Sequence, residues 1–104
     1  MKKKLTREQA RALVEAKLKT LSPSLPDGDA FVICDEATIE RTFGWVFFYD
    51  SRRHRETGDF RFEIAGNAPY IVNRSDGSVV ATGTAHSPEH YIAQYEQQLQ
   101  DHAT

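Results

Sequence analysis

Few side chains in this chain are placed to do chemistry. The single cysteine, Cys34, would act as a nucleophile if His54 or His86 served as its base, since such partners meet in space and not in sequence. Cys34 lies in an apolar run, however, where a small thiol is ordinarily buried and inert. His86 and His90 stand four residues apart, a spacing that on a helix turns two imidazoles toward one metal ion. His86 falls before the expected helix start and no third ligand is evident, so no metal is expected. Asp35, Glu36 and Glu40 have the chemistry to divide acid and base roles, but Asp35 and Glu36 sit at an expected turn and read first as solvated charge. Arg52, Arg53, His54 and Arg55 form a small basic loop near Phe60, a combination that can touch RNA. Gly66 lacks the further glycines and the Lys-Ser/Thr pair of a phosphate-cradling loop. Neither a catalytic residue nor a cofactor is expected, and an enzyme is not the expected class.

Composition narrows the partners. With 27% charged residues and a formal net charge of -2, the chain has neither the basic excess of a nucleic-acid binder nor an acidic tail, and no nucleic-acid module signature is present. A protein partner is the default. One cysteine excludes an intramolecular disulfide. Lys2 to Lys4 lead into Thr6 without the apolar core of a signal peptide, and no run approaches the roughly 20 apolar residues that span a bilayer. A cytoplasmic address without membrane contact is expected, as a single domain over residues 1–104.

The elements that must hold these residues are legible in outline. Thr6-Arg7-Glu8-Gln9 has the form of a capping box, and Ala10, Leu13, Val14, Lys17, Leu18 and Leu21 recur at helical spacing behind it, while Arg7, Glu8, Arg11, Glu15 and Lys19 face water. Ser22 to Gly28 stops that helix. Asp29 to Asp35 is a short apolar run that reads as a strand. The organising stretch is Thr38 to Val72. Within it, Thr42 to Asp50 gathers Phe43, Trp45, Phe47, Phe48 and Tyr49 around Gly44, and it reads as one long strand or two joined by a bulge at Gly44. In extended geometry Phe43, Trp45, Phe47 and Tyr49 line one side and Val46 and Phe48 the other. Pairing with Asp29 to Asp35 would make an antiparallel hairpin. Phe60, Phe62 and Ile64 alternate with Arg61 and Glu63 as an extended piece, and Ala65 to Pro69 reads as a tight turn. Asp76-Gly77 marks a hairpin, and Ser87-Pro88 opens a last helix with Pro88, Tyr91, Ile92, Tyr95 and Leu99 on its apolar stripe.

This order predicts an α+β fold, an antiparallel sheet of four to five strands with an N-terminal and a C-terminal helix packed on one face. A consequence follows for binding. Two helices on one face leave the other apolar side of the central strand to be covered, by the Ser51 to Ala68 segment first, or else by a second copy of the chain or another partner.

Ile39-Glu40, the block Phe43 to Tyr49 (FGWVFFY), Gly58-Asp59, the block Gly66 to Val72 (GNAPYIV), Asp76-Gly77, Tyr91-Ile92 and Tyr95-Glu96 together resemble the YrhB-like family, also called immunity protein 35. The resemblance covers most of the chain, about Ala10 to Glu96. It implies an antidote of a bacterial polymorphic toxin system, a small cytoplasmic protein that binds a cognate toxin domain and blocks it; the YrhB name also carries a heat-stable, chaperone-like reading. It implies no catalytic residues. Because hot spots favour Trp, Tyr and Arg, the candidate partner-binding residues are Trp45, Tyr49, Tyr70, Arg52, Arg53 and Arg55, with acidic Asp35, Glu36 and Glu40 if the toxin is basic. For the three aromatics the competing reading is plain core.

Overall fold

The computed structural model describes residues 4–25, 28–62 and 67–103. The capping box forms as the sequence predicts: the Gln9 N–H donates to the Thr6 hydroxyl at 3.2 Å, and the Thr6 N–H donates to Gln9 Oε1 at 2.9 Å. Helix α1 (Arg7–Leu21) follows. Its buried face is narrower than the expected stripe, since Ala10, Val14 and Leu18 are buried whereas Leu13 and Leu21 are 40% and 38% exposed. Strict four-residue spacing over a flat sheet uses one ridge of the helix and leaves its neighbours outside.

Six short strands lie among the described residues: β1 (Phe31–Ile33), β2 (Ile39–Arg41), β3 (Gly44–Phe47), β4 (Tyr49–Ser51), β5 (Tyr70–Asn73) and β6 (Val79–Ala81). They make a four-stranded sheet in the order β2-β3-β5-β6 and a two-stranded sheet of β1 and β4, all antiparallel. The aromatic stretch is therefore not one long strand. It reverses at Thr42-Phe43, so that Arg41 faces Gly44 and Ile39 faces Val46. Gly44 permits this with φ at 150°, and a Cβ there would collide with the Val72 carbonyl oxygen of the paired strand. A second break at Phe48 carries the chain from the large sheet to the small one, with the Phe48 carbonyl accepting from Cys34 N–H at 2.8 Å. The expected antiparallel pairing with Asp29 to Asp35 survives in the last segment alone, from Phe31 opposite Ser51 to Ile33 opposite Tyr49. A 3-10 turn at Asp35–Ala37 and the β2-β3 hairpin intervene, which is why no simple hairpin joins the two.

The α+β class is as expected; the helices are placed differently. Trp45, Phe47, Tyr49, Tyr70 and Val72 pack with Ala10, Val14 and Leu18 of α1. The alternate residues Val46 and Ile71, with Phe43 from the turn, pack instead on Ile92 of the last helix, α3 (Pro88–Ala103), flanked by Tyr95 and Leu99. Side chains that alternate along a strand point to opposite faces, so the two helices cover opposite faces and not one. A strand apolar on both sides requires such a sandwich: each buried aromatic or aliphatic side chain contributes about 1.5–3 kcal/mol only when something dry covers it. Among its described residues, the segment after Ser51, expected to supply that cover, takes another form. Its first part is a short helix, α2 (Arg52–Thr57), ended by Gly58 at φ 69°, and Phe60–Phe62 is a 3-10 turn, not an extended piece. Phe60 is 79% exposed. Ile64, Ala65 and Gly66 lie outside the described residues. The hairpin at Asp76-Gly77 forms, with Val72 opposite Val79 and Gly77 at φ 74°, and the Ser87 hydroxyl accepts from His90 N–H at 3.3 Å at the start of α3.

Candidate functional site

Three elements distant in sequence bring their charges together. From α1, Arg11 grips the Asp35 carboxylate through both ends of its guanidinium, Nε to Oδ1 at 2.7 Å and Nη2 to Oδ2 at 3.0 Å, while also pairing with Glu15. Arg7, one turn earlier, donates to the Asp35 carbonyl at 3.3 Å. From α2, Arg55 grips Glu36 the same way, Nη1 to Oε2 at 2.9 Å and Nη2 to Oε1 at 3.0 Å. The 3-10 turn of Asp35 and Glu36 thus sits between two arginine forks, a geometry that fixes carboxylate orientation more tightly than a single point contact.

The electrostatics follow from those forks. Hydrogen bonding from Arg11, opposed by burial, holds Asp35 below the usual carboxylate range, and the Arg55 fork does the same for Glu36. Their arginines are pushed up in return, Arg11 by Asp35 and Arg55 by Glu36. Carboxylates so held stay ionised at neutral pH and have no proton to give, which removes them as general acids. Glu40 stands apart on β2, 3.3 Å from Arg74, whose guanidinium lies over the Trp45 ring at 4.7 Å.

The other candidates divide between surface and interior. Arg52 is exposed, 3.7 Å from Glu56 and within reach of the Gly28 carbonyl at 3.4 Å. Arg53 is half-buried on the same helix. Trp45, Tyr49 and Tyr70 are buried. Tyr49 stacks on Tyr70 with centroids 5.5 Å apart and meets the edge of Phe31 at the same distance. Burial, reinforced by Tyr70, pushes the Tyr49 hydroxyl up to about 12. These rings belong to the core that packs on α1.

Cys34 is buried at the start of the Asp35–Ala37 turn, and burial, partly offset by Arg55, raises its thiol above the usual range. That keeps it protonated and poorly nucleophilic. His54 is bonded to Asp50 at 2.6 Å, and His86 lies against His90 with ring centroids 4.1 Å apart. Among the described residues no three metal-ligating side chains converge.

One constellation escaped the sequence reading. Asp29 is buried behind α2: its Oδ1 accepts from Ala30 N–H at 2.8 Å and from Arg53 N–H at 3.2 Å, and its Oδ2 accepts from the Ser51 hydroxyl. The Ser51 hydroxyl in turn accepts from His54 N–H at 3.2 Å, as the N-cap of α2. Burial would raise the Asp29 carboxyl, but the hydrogen bonds from Ser51, Ala30 and Arg53 together with the Arg52 charge lower it. A serine before RRHRET and a glycine after it were the available signal for this helix; the 22-residue gap from Asp29 to Ser51 carried none.

No helix among the described residues is long and apolar enough to cross a membrane. No solved structure matches the chain significantly. A protein of Escherichia coli (strain K12), described as the uncharacterized protein YrhB, is 42% identical over 53 residues, a span of 51% of this chain and 56% of that protein. The match therefore covers little more than half the length of this curated relative. The family model of immunity protein 35 matches residues 8–97, from the first turn of α1 into the last turns of α3 and so across every strand described above. The chain belongs to the immunity protein 35 family.

Proposed function

We propose that this chain is an immunity protein that binds and neutralises the toxic domain of a cognate bacterial polymorphic toxin in the cytoplasm. Membership of the immunity protein 35 family over residues 8–97 carries this reading. Recognition is the chemistry these residues favour: Asp35 and Glu36 are held as ions by arginine forks and the one thiol is buried. The binding surface is the rim formed by Asp35, Glu36 and Arg55, with Arg11 beside them and Arg52 and Arg53 on the flank; Glu40 extends it along β2. Long side chains already held in bidentate pairs lose less freedom on binding, and a mixed-sign rim selects its partner by register and speeds encounter. Trp45, Tyr49 and Tyr70 contribute as core, packed with α1 in the scaffold that carries the rim.

The chaperone-like alternative asks for a contiguous apolar patch to hold unfolded clients. Among the described residues, the exposed large apolar side chains Leu13, Leu21, Phe60 and Val80 are spread over α1, the Phe60–Phe62 turn and β6, which favours the antidote reading. The test is co-expression with the toxic domain encoded beside the gene. Growth is expected to be rescued, and Glu36→Lys is expected to weaken toxin affinity by about tenfold or more, the usual scale for a charge reversal that sets like charges against each other, in a chain that still folds and unfolds cooperatively. Absence of rescue by the native chain, or suppression of client aggregation without any toxin binding, overturns the proposal.

A further inference from the structure

The two edges of the four-stranded sheet are treated differently. At the β2 edge Glu40 and Arg41 are exposed and Arg74 reaches across to Glu40 and to the Arg41 carbonyl, at 3.3 and 2.7 Å. Charges of that kind keep a strand edge from pairing with another chain. The β6 edge has no such guard: from Ser78 to Ala85 the sequence is SVVATGTA, without a charge or a proline.

The ladder also determines which backbone groups face outward there. Asn73 N–H donates to the Ser78 carbonyl at 3.0 Å and Thr82 N–H to the Pro69 carbonyl at 3.2 Å. Ser78, Val80 and Thr82 thus spend their backbone groups on β5, and the alternation of an antiparallel pair turns the N–H and C=O of Val79 and Ala81 to the outer edge. No segment among the described residues pairs with them. Val80 sends its side chain to the α3 face, where it is 37% exposed in a groove of about 390 Å³ shared with Ile71, Tyr91, Gln94, Tyr95 and Gln98.

We propose that this edge is the interface with a second copy of the chain, β6 pairing antiparallel with β6 of its partner about a two-fold axis at Val80. The parity is right for it. With Val80 opposite its own copy in the close, non-hydrogen-bonded position, Val79 and Ala81 each exchange both backbone bonds with Ala81 and Val79 across the axis, and the two valine side chains meet. An axis normal to the sheet sets both α3 helices on the same face, where the Gln94 and Gln98 amides can donate and accept across the seam. The neutral stretch is what self-pairing demands, because a two-fold axis sets every charge near it against its own like. The β2 edge, with Glu40 and Arg41 exposed, would meet that repulsion. The pairing uses none of Asp35, Glu36 and Arg55, so its failure leaves the toxin reading standing.

Sedimentation equilibrium of the full chain over a concentration series is expected to reach twice the 11.8 kDa chain mass. Val80→Lys, which sets like charges opposite each other, is expected to weaken association by about tenfold or more. Ala81→Pro, which removes one outward donor and leaves the β5 ladder intact, is expected to do the same. Amide exchange at Val79 and Ala81 in the native chain should slow as concentration rises. A monomer at every concentration, a dimer indifferent to both substitutions, or protection of these amides by the toxic domain alone would each overturn the proposal.

Discussion

Substituting Asp29 by alanine removes the group that ties α2 to the rest of the fold. The carboxylate accepts from two backbone N–H groups and the Ser51 hydroxyl, and that hydroxyl, 1% exposed, is left without its acceptor once the carboxylate is gone. Loss of a side-chain acceptor for a first-turn N–H such as that of Arg53 costs, by analogy with a helix cap, about 0.5–2 kcal/mol, and a buried polar group stripped of its partner about 1–3 kcal/mol. Since the terms overlap, about 2–4 kcal/mol is expected, a large part of the roughly 5–15 kcal/mol that holds a domain together. At about 4–8 °C per kcal/mol for a domain of this size, Tm should fall by roughly 10–25 °C. The pH dependence has a definite sign. Asp29 is lowered from its usual 3.8 on folding, so its stabilisation is complete above the unfolded carboxylate value and is lost as pH falls through the depressed folded value. Urea unfolding followed by the fluorescence of the buried Trp45 should therefore show a wide gap between native chain and Asp29→Ala near neutrality, narrowing below about pH 4. Asp29→Asn keeps an acceptor without the charge, and its deficit should be smaller. A midpoint for Asp29→Ala matching the native one at neutral pH, or a deficit unchanged in acid, refutes the anchoring role.

Two further substitutions test other parts of the structure. Gly44→Ala should cost more than about 3 kcal/mol, because positive φ is strained for alanine and the new Cβ meets backbone that cannot yield. Gly58→Ala, at φ 69° with nothing within 4 Å, is its control and should cost about 1 kcal/mol; equal midpoints for the two variants would rule out the tight β2-β3 hairpin. Cys34 should react with an aromatic disulfide reagent far more slowly in the folded chain than in urea, given its burial and raised thiol, and Cys34→Ala should still neutralise the toxin. Rapid labelling of the folded chain would contradict its placement.

How much of this was legible in the sequence depended on the range of the interaction. Thr6 with Gln9, Ser87 with Pro88 and Asp76 with Gly77 act within a few residues, and each formed as read. The aromatic stretch showed that both faces of a strand are buried, but not which helix covers which. Phe43 misled by its place in an unbroken run: two residues at the Thr42-Phe43 turn send it to the α3 side, with Val46 and not with Trp45. A tight turn built from Thr-Phe before Gly44 has no Asn-Gly or Asp-Gly mark, so the reversal was invisible. The charged candidates follow from residue type alone, while the pairing across 24 and 19 residues, Arg11 with Asp35 and Arg55 with Glu36, is a property of the packed elements. Helical spacing alone turns Arg11 to water.

Those pairings connect stability to the surface proposed for recognition. Arg55 reaches Glu36 from α2, a helix of six residues whose own turns are too few to hold it in water. The buried tie on α2 is the Asp29 carboxylate, bonded to Arg53 N–H and to the cap hydroxyl of Ser51, beside the rim proposed to bind the partner. The acidic half of the rim needs no such support, since Asp35 and Glu36 sit on a turn closed by its own backbone, Ala37 N–H to the Cys34 carbonyl at 3.0 Å and Thr38 N–H to the Asp35 carbonyl at 3.2 Å. The rim therefore has one half set by local geometry and one half set by a buried charge. Loosening α2 would free Arg55 from Glu36 while leaving Arg11 on Asp35, so under the proposed function Asp29→Ala is expected to weaken toxin binding as well as stability, and a variant that loses stability but keeps full affinity would remove Arg55 from the proposed surface.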